Sequence, residues 1–200
     1  AGIVEWLGTT YVSVHARRNE FQFVEAKTGV ADAVRRTMPA GTTTVYVATD
    51  EKDATFFDEL RASHNVVLLG ELREAALNLS RGLALRPGNW PSNNVLLQLN
   101  RVNGNELGFV DALIASQGTV FTGAWFSTYT GLINRWRGYG GFADSSSYFS
   151  TPGRVNAWQG FEKPRSPLYM REWVEGWRGI STDEAAGPRP GERVFVDGYD

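Results

Sequence analysis

Three short stretches of this sequence gather polar and charged side chains that could do chemistry at a strand end. His15-Ala16-Arg17-Arg18 sets two guanidinium groups beside an imidazole, and Ala48-Thr49-Asp50-Glu51 sets a hydroxyl beside two carboxylates. Thr122-Gly123-Ala124-Trp125-Phe126-Ser127-Thr128 joins a glycine to a pair of hydroxyls. Arginine offers a fixed fork of donors that matches phosphate oxygens. Glycine lets backbone come close to a ligand, and the first amides of a helix attract negative charge. Together these types suit a diphosphate, with Arg17 on one side and Ser127 and Thr128 on the other. Neither G-x-G-x-x-G nor a Walker A pattern occurs, so the usual glycine-rich nucleotide loops are excluded.

Each residue also has a plainer reading. Arg17 can pair with Asp50 or Asp111 and hold a sheet edge. Ser127 and Thr128 can simply cap a helix. His15 can be a packed, hydrogen-bonded residue. Strand alternation puts His15 and Arg17 on one side and turns Arg18 to the other, as scaffold. Asp111 either faces the cleft or lies on the surface. Trp6, Trp90 and the C-terminal tryptophans read as packing residues, and His64 as a surface residue.

The elements that must position these residues follow from periodicity. Residues 11–16 alternate and are β-branched or aromatic, which predicts a strand. A helix is expected within 23–37, followed by a strand at 42–50. Asp53 then caps a helix that carries Phe56, Phe57 and Leu60 on one face. The continuous apolar run 65–70 reads as a buried parallel strand. Residues 71–85 are expected to hold a helix, and 86–94 form a Pro/Gly/Asn loop. A helix at 106–117, a strand at 119–124 and a helix at 126–136 complete the pattern. Strand and helix alternate four times, which defines an α/β fold: an open, mostly parallel Rossmann-like sheet with helices on both faces. Ligands bind such sheets outside the carboxyl ends of the strands, where all three stretches fall. Residues 1–139 form this domain. Residues 140–200 are Gly/Ser-rich and then aromatic, and read as an irregular arm packed on the core or on a partner. A short strand is expected there at 193–196.

Composition sets the outer limits. The chain has 200 residues, 42% of them hydrophobic, and a formal net charge of −2. That balance gives no bulk attraction to nucleic acid, so any anion site is local. Cysteine is absent, which excludes disulfides, thiolate metal sites and cysteine nucleophiles. No apolar run is long enough to span a bilayer and no signal-peptide pattern is present. Asn78-Leu79-Ser80 is a glycosylation acceptor pattern that matters only in a secretory setting.

Three segments, YVSVHARRNEF, VYVATDEKDATFFDEL and DALIASQGTVFTGAWFSTYTGLINRWRG, in that order over residues 11–139, resemble the C-terminal half of the GDP-fucose protein O-fucosyltransferases. The resemblance implies half of a GT-B fold that binds GDP-fucose and supports inverting transfer of fucose to a serine or threonine hydroxyl of a protein acceptor, without a metal. It implies that Arg17 engages the diphosphate and stabilises its departure, and that His15 contacts the nucleotide. Asp111 would lie near the guanine and ribose, Ser127 and Thr128 near the phosphates, and Phe126 along the nucleotide pocket. Glu20 stands where the family usually has aspartate. The family's second Rossmann-like domain, which closes the cleft, has no counterpart in these 200 residues. A partner chain or a further N-terminal domain is therefore expected. The alternative is an inactive fucosyltransferase-like subunit with a structural role in an assembly. The resemblance points to the ER or Golgi lumen, whereas the missing cysteines and signal pattern point elsewhere.

Overall fold

The computed structural model describes residues 2–8, 10–18, 30–31, 34–35, 37, 39–124, 127–140, 142 and 145–149. Five strands run through it: β1 (Val12–Ala16), β2 (Thr44–Thr49), β3 (Asn65–Leu68), β4 (Phe121–Ala124) and β5 (Ser146–Phe149). They form one sheet in the order β3-β2-β1-β4-β5, and every pairing is parallel. The chain thus steps outward from β1 to one side, then returns to lay β4 on the other. The helices are α1 (Gly2–Leu7), α2 (Asp58–Arg61), α3 (Leu69–Ser80), α4 (Asn93–Asn100), α5 (Leu107–Ser116) and α6 (Thr128–Tyr139). Residues 30, 31, 34, 35 and 37 are also helical.

Strand alternation sorts the side chains into two cores. Val12, Val14 and Ala16 of β1 join Val45, Val47, Val66 and Leu68 on one face, under Val30, Val34, Phe56, Phe57 and Leu60. Tyr46, Ala48, Val67 and Phe121 point the other way, into a larger core built from α1 and α3 to α6. Both faces of the sheet are covered, so every residue of β1 is buried, the polar Ser13 and His15 included. Asp53 caps the turn Ala54–Phe57 by accepting from the Thr55 amide, as the sequence suggests.

Two parts of the fold differ from the sequence reading. Ser146–Phe149, assigned to the irregular arm, forms the fifth strand, paired with Phe121–Ala124. Its serine-rich start carries a loop-like composition, and pairing along β4 holds it in the sheet. The loop expected to end at residue 94 stops at Ser92, and Asn93–Asn100 form α4, a helix for which the sequence reading has no counterpart. The remainder of the arm, including residues 193–196, lies outside the described residues.

One buried cation ties these late elements together. Arg137 of α6 is fully buried. Its Nη1 donates to the carbonyls of Ser116, at 2.9 Å, and Gly118, at 2.5 Å. Its Nη2 reaches Ser145 Oγ at 2.6 Å and the Ser145 carbonyl at 3.3 Å. The guanidinium also lies 5.4 Å from the Phe142 ring centre. One side chain thereby satisfies carbonyls left open at the end of α5 and fixes the approach to β5.

Candidate functional site

The strand order reverses between β1 and β4, and the carboxyl ends of these two strands frame the candidate site. Arg17 follows β1, while Ser127 and Thr128 follow β4. The exit from β1 is laced to the exit from β2. Thr49 Oγ1 donates to the Ala16 carbonyl at 2.7 Å. Asp50 then serves both arginines: Oδ1 accepts from the Arg18 backbone amide at 2.7 Å, and Oδ2 pairs with Arg17 Nη1 at 3.1 Å. Arg17 keeps 32% of its side chain exposed at the sheet edge. Arg18 turns to the opposite face, as alternation requires. There it pairs with Glu51 at 2.9 Å and stacks over Phe56, with its guanidinium carbon 4.3 Å from the ring centre.

Glu51 reinforces the same corner. Its carboxylate accepts from the amides of Asp53 and Lys52. Those bonds, led by Asp53, and the Arg18 charge favour the ionised form and hold its pKa below the ordinary carboxylate value.

His15 lies beneath this edge rather than on it, at 3% exposure. Its Nδ1 meets Thr130 Oγ1 at 2.7 Å, and its ring packs against Tyr129 with centres 4.8 Å apart. Burial, helped by the nearby Arg17 charge, lowers its pKa to about 3, so the imidazole is neutral at physiological pH. The contact with Thr130 locks β1 to the first turn of α6. Gly123 makes that closeness possible: a Cβ there would sit 2.7 Å from Thr130 Oγ1 and 2.9 Å from the Phe121 ring. Gly123→Ala is therefore expected to push α6 outward, cost about 1–3 kcal/mol, and separate Thr130 from His15. Urea denaturation together with the His15 ring proton shifts tests this, and a variant matching the parent in both would refute the close-packing account.

Ser127 occupies the N-cap position of α6 with extended backbone, yet its side chain makes no capping hydrogen bond. It is buried at 7% exposure, whereas Thr128 beside it is exposed. Phe126, expected along the nucleotide pocket, lies outside the described residues.

Asp111 sits on α5 at 9% exposure, on the larger-core face of the sheet. It accepts from the Tyr46 hydroxyl at 2.5 Å, while the nearby Tyr129 hydroxyl donates to the Gly108 carbonyl one turn earlier on α5. Desolvation outweighs hydrogen bonding and pushes its pKa up to about 7. Burial also raises the pKa of both tyrosines, so they remain neutral donors. Asp111 contributes to the wall of a cavity of about 350 Å³ with Thr49, Glu51, Lys52, Gly70 and Glu71, between the ends of β2 and β3 and the start of α3. The helix that carries Asp111 is thus joined to the site through Tyr129, whose hydroxyl binds the Gly108 carbonyl and whose ring packs on His15.

Tyr46, Tyr129 and Thr130 did not stand out in the sequence. Tyr46 was findable in principle, since alternation along β2 places it on the same face as Ala48 and the His15 side of β1. Thr130, three residues past Ser127, is where a first helical turn comes round to the same side. Among the described residues no cluster of three His, Asp or Glu side chains is placed to hold a metal ion, and no helix is long and apolar enough to cross a membrane. No protein-family description matches the chain, and no curated protein matches it either.

Proposed function

We propose that this domain binds the donor of a fucosyltransferase-type reaction, with the diphosphate of GDP-fucose in the crevice between the ends of β1 and β4. The observation that carries the reading is the placement of Arg17 and the Ser127–Thr128 start of α6 on the two sides of the point where strand order reverses. Open parallel sheets bind ligands at such points. Arg17 supplies the charge, and Asp50 orients it. The helix start adds amides and two hydroxyls, one of them uncommitted to capping. Departure of GDP develops negative charge on the diphosphate, and a guanidinium fixed beforehand stabilises that charge as it forms. His15, neutral and buried, positions Thr130 and Tyr129 rather than countering the phosphate charge. Asp111 lines the neighbouring cavity, where the base and ribose would lie. The acceptor would be a protein serine or threonine hydroxyl, reached with inversion. A second domain or chain would close the crevice against water.

A second reading has its own observation. The Arg17–Asp50 pair already neutralises the arginine, as in a domain kept for its contacts within an assembly. Isothermal calorimetry with GDP and GDP-fucose separates the two. The donor reading expects micromolar binding of GDP that falls at least tenfold in Arg17→Ala. No binding, with or without a co-purified partner, would leave the structural reading standing. Binding without transfer would place the missing catalytic parts in the second domain.

A further inference from the structure

β3 is the outermost strand on its side of the sheet, and among the described residues it pairs with β2 alone. The Asn65 amide donates to the Thr43 carbonyl at 2.9 Å. That bond sets the phase of the strand. Asn65 and Val67 turn their backbone groups toward β2, so Val66 and Leu68 turn theirs outward. The Val66 carbonyl is accordingly met by Arg61, whose Nη1 donates to it at 3.4 Å. The Nη2 of the same guanidinium pairs with Glu71 at 2.8 Å. Arg61 ends α2, which covers the smaller core, and Glu71 begins α3, which covers the larger one. The ion pair thus crosses the sheet edge like a latch. The outward amides of Val66 and Leu68 meet no backbone acceptor among the described residues.

A cavity of about 370 Å³ lies against this edge, lined by β3, by α3 and by residues 85–90. Trp6, Leu85 and Trp90 give it apolar surface. That surface is formed in advance: Trp90 Nε1 donates to the Arg86 carbonyl at 2.8 Å, and Trp6 Nε1 to Asn89 Oδ1 at 3.4 Å. The charged groups around the cavity are already matched, Arg61 with Glu71 and Arg86 with Glu74. We propose that this cavity is a docking site for an extended, uncharged segment of a partner protein, which joins the sheet as a further strand beside β3.

The chemistry of the edge selects this occupant. Backbone donors and acceptors at strand spacing are best matched by another extended main chain, and an open strand edge is a template for one. The Val66 amide, the Val66 carbonyl and the Leu68 amide are the groups on offer, since the Leu68 carbonyl stands at the N-cap of α3 and serves that helix. Side chains of an added strand alternate in direction, so every second one meets the tryptophans and Leu85. Matched charges around the cavity favour an uncharged segment over an acidic or basic one. A second copy of this domain does not fit. Val66, Val67 and Leu68 are only 6–7% exposed, recessed between the helices of the two faces, and two recessed edges cannot meet. A single strand can enter. The latch is a partly exposed ion pair, a kind that contributes little, so releasing the Val66 carbonyl is easy. The inference does not rest on the donor-site reading.

Amide hydrogen exchange on the full chain, read by NMR, tests the edge first. The Val66 and Leu68 amides should exchange roughly tenfold or more faster than the Val67 amide between them. Equal protection of all three would show that the edge is already paired, and would overturn the proposal. Linear seven-residue peptides are then selected on the full chain from a random phage-displayed library. Those enriched should be apolar and β-branched, and should slow exchange at Val66 and Leu68. N-methylation of alternate amides in a selected peptide should weaken binding roughly tenfold in one register and leave it nearly unchanged in the other. Because that change is made in the peptide, folding of the protein is not in question. Arg61→Ala, with circular dichroism verifying an intact fold, should bind the same peptide more tightly. Failure to enrich any peptide, binding that leaves Val66 and Leu68 unprotected, or equal tolerance of N-methylation in both registers would overturn the proposal.

Discussion

Relative to the parent protein, Asp111→Asn will gain stability as pH rises, and His15→Gln will gain it as pH falls. Each difference should change by about 1.4 kcal/mol per pH unit. The pKa of Asp111 rises on folding from 3.8 to about 7 because burial disfavours the carboxylate. Between those values the folded state holds a proton that the unfolded state has lost, so its contribution is greatest at low pH and disappears as pH climbs through 7. His15 behaves oppositely. Its pKa falls on folding from 6.5 to about 3, so its contribution is complete above 6.5 and is lost as pH drops toward 3. From pH 3.8 to 6.5 one group takes up a proton on folding while the other releases one. The two slopes cancel in the parent and are exposed only when one group is removed. Across that window each substitution should reveal a swing of about 4 kcal/mol. Urea denaturation at pH 4.5, 6 and 7.5 measures it; variant and parent curves that run parallel would contradict the burial of these groups in their neutral forms. The same cancellation has a meaning for the site: at mildly acid pH neither group adds charge near the crevice, which leaves Arg17 and Asp50 to set its field.

Replacing Arg137 by methionine will destabilise the protein by about 3–5 kcal/mol. Methionine keeps much of the volume but donates nothing. The Ser116 and Gly118 carbonyls and the Ser145 side chain would then lose a buried charged partner. A polar group stranded away from water costs more than the hydrogen bond itself contributed. Lysine should recover less than half of the loss. It has a single nitrogen, whereas the guanidinium reaches the end of α5 with one nitrogen and the Ser145 turn with another. Calorimetry should show the melting temperature of the methionine variant lowered by on the order of 10 °C. A change under about 3 °C would mean that the carbonyls find other donors.

The core of the fold was legible because its strands are buried on both faces. VSVHA, TVYVAT and NVVL are dense in β-branched residues, and their parallel pairing needs no local turn signal to be recognised. The helix around Asp111 was equally plain. Two elements were hidden. SSYF pairs along β4 in parallel register, while its serine-rich composition suggests a loop. NNVLLQLN follows a proline-rich turn whose composition masks where the helix begins. The candidate site divides in the same way. Arg17, Ser127 and Thr128 follow from strand ends, which periodicity locates. Tyr129 does not, because its importance lies in packing on His15 and bonding the Gly108 carbonyl, residues far apart in sequence. No pattern within one segment can report such a contact.

The sheet order carries a consequence for how this chain is made. β1 lies at the centre, and its neighbour β4 arrives about a hundred residues later; Ser13 and Val120 are separated by 107 positions. On a ribosome moving at about 5–20 residues per second, β1 would wait roughly 5–20 s for that neighbour. During this interval it has β2 on one side and an open row of amides and carbonyls on the other. Closing so long a loop before any contact compensates for it also slows refolding in solution. Nascent chains halted before residue 121 should consequently engage chaperones, and release of the β4 segment should end that dependence.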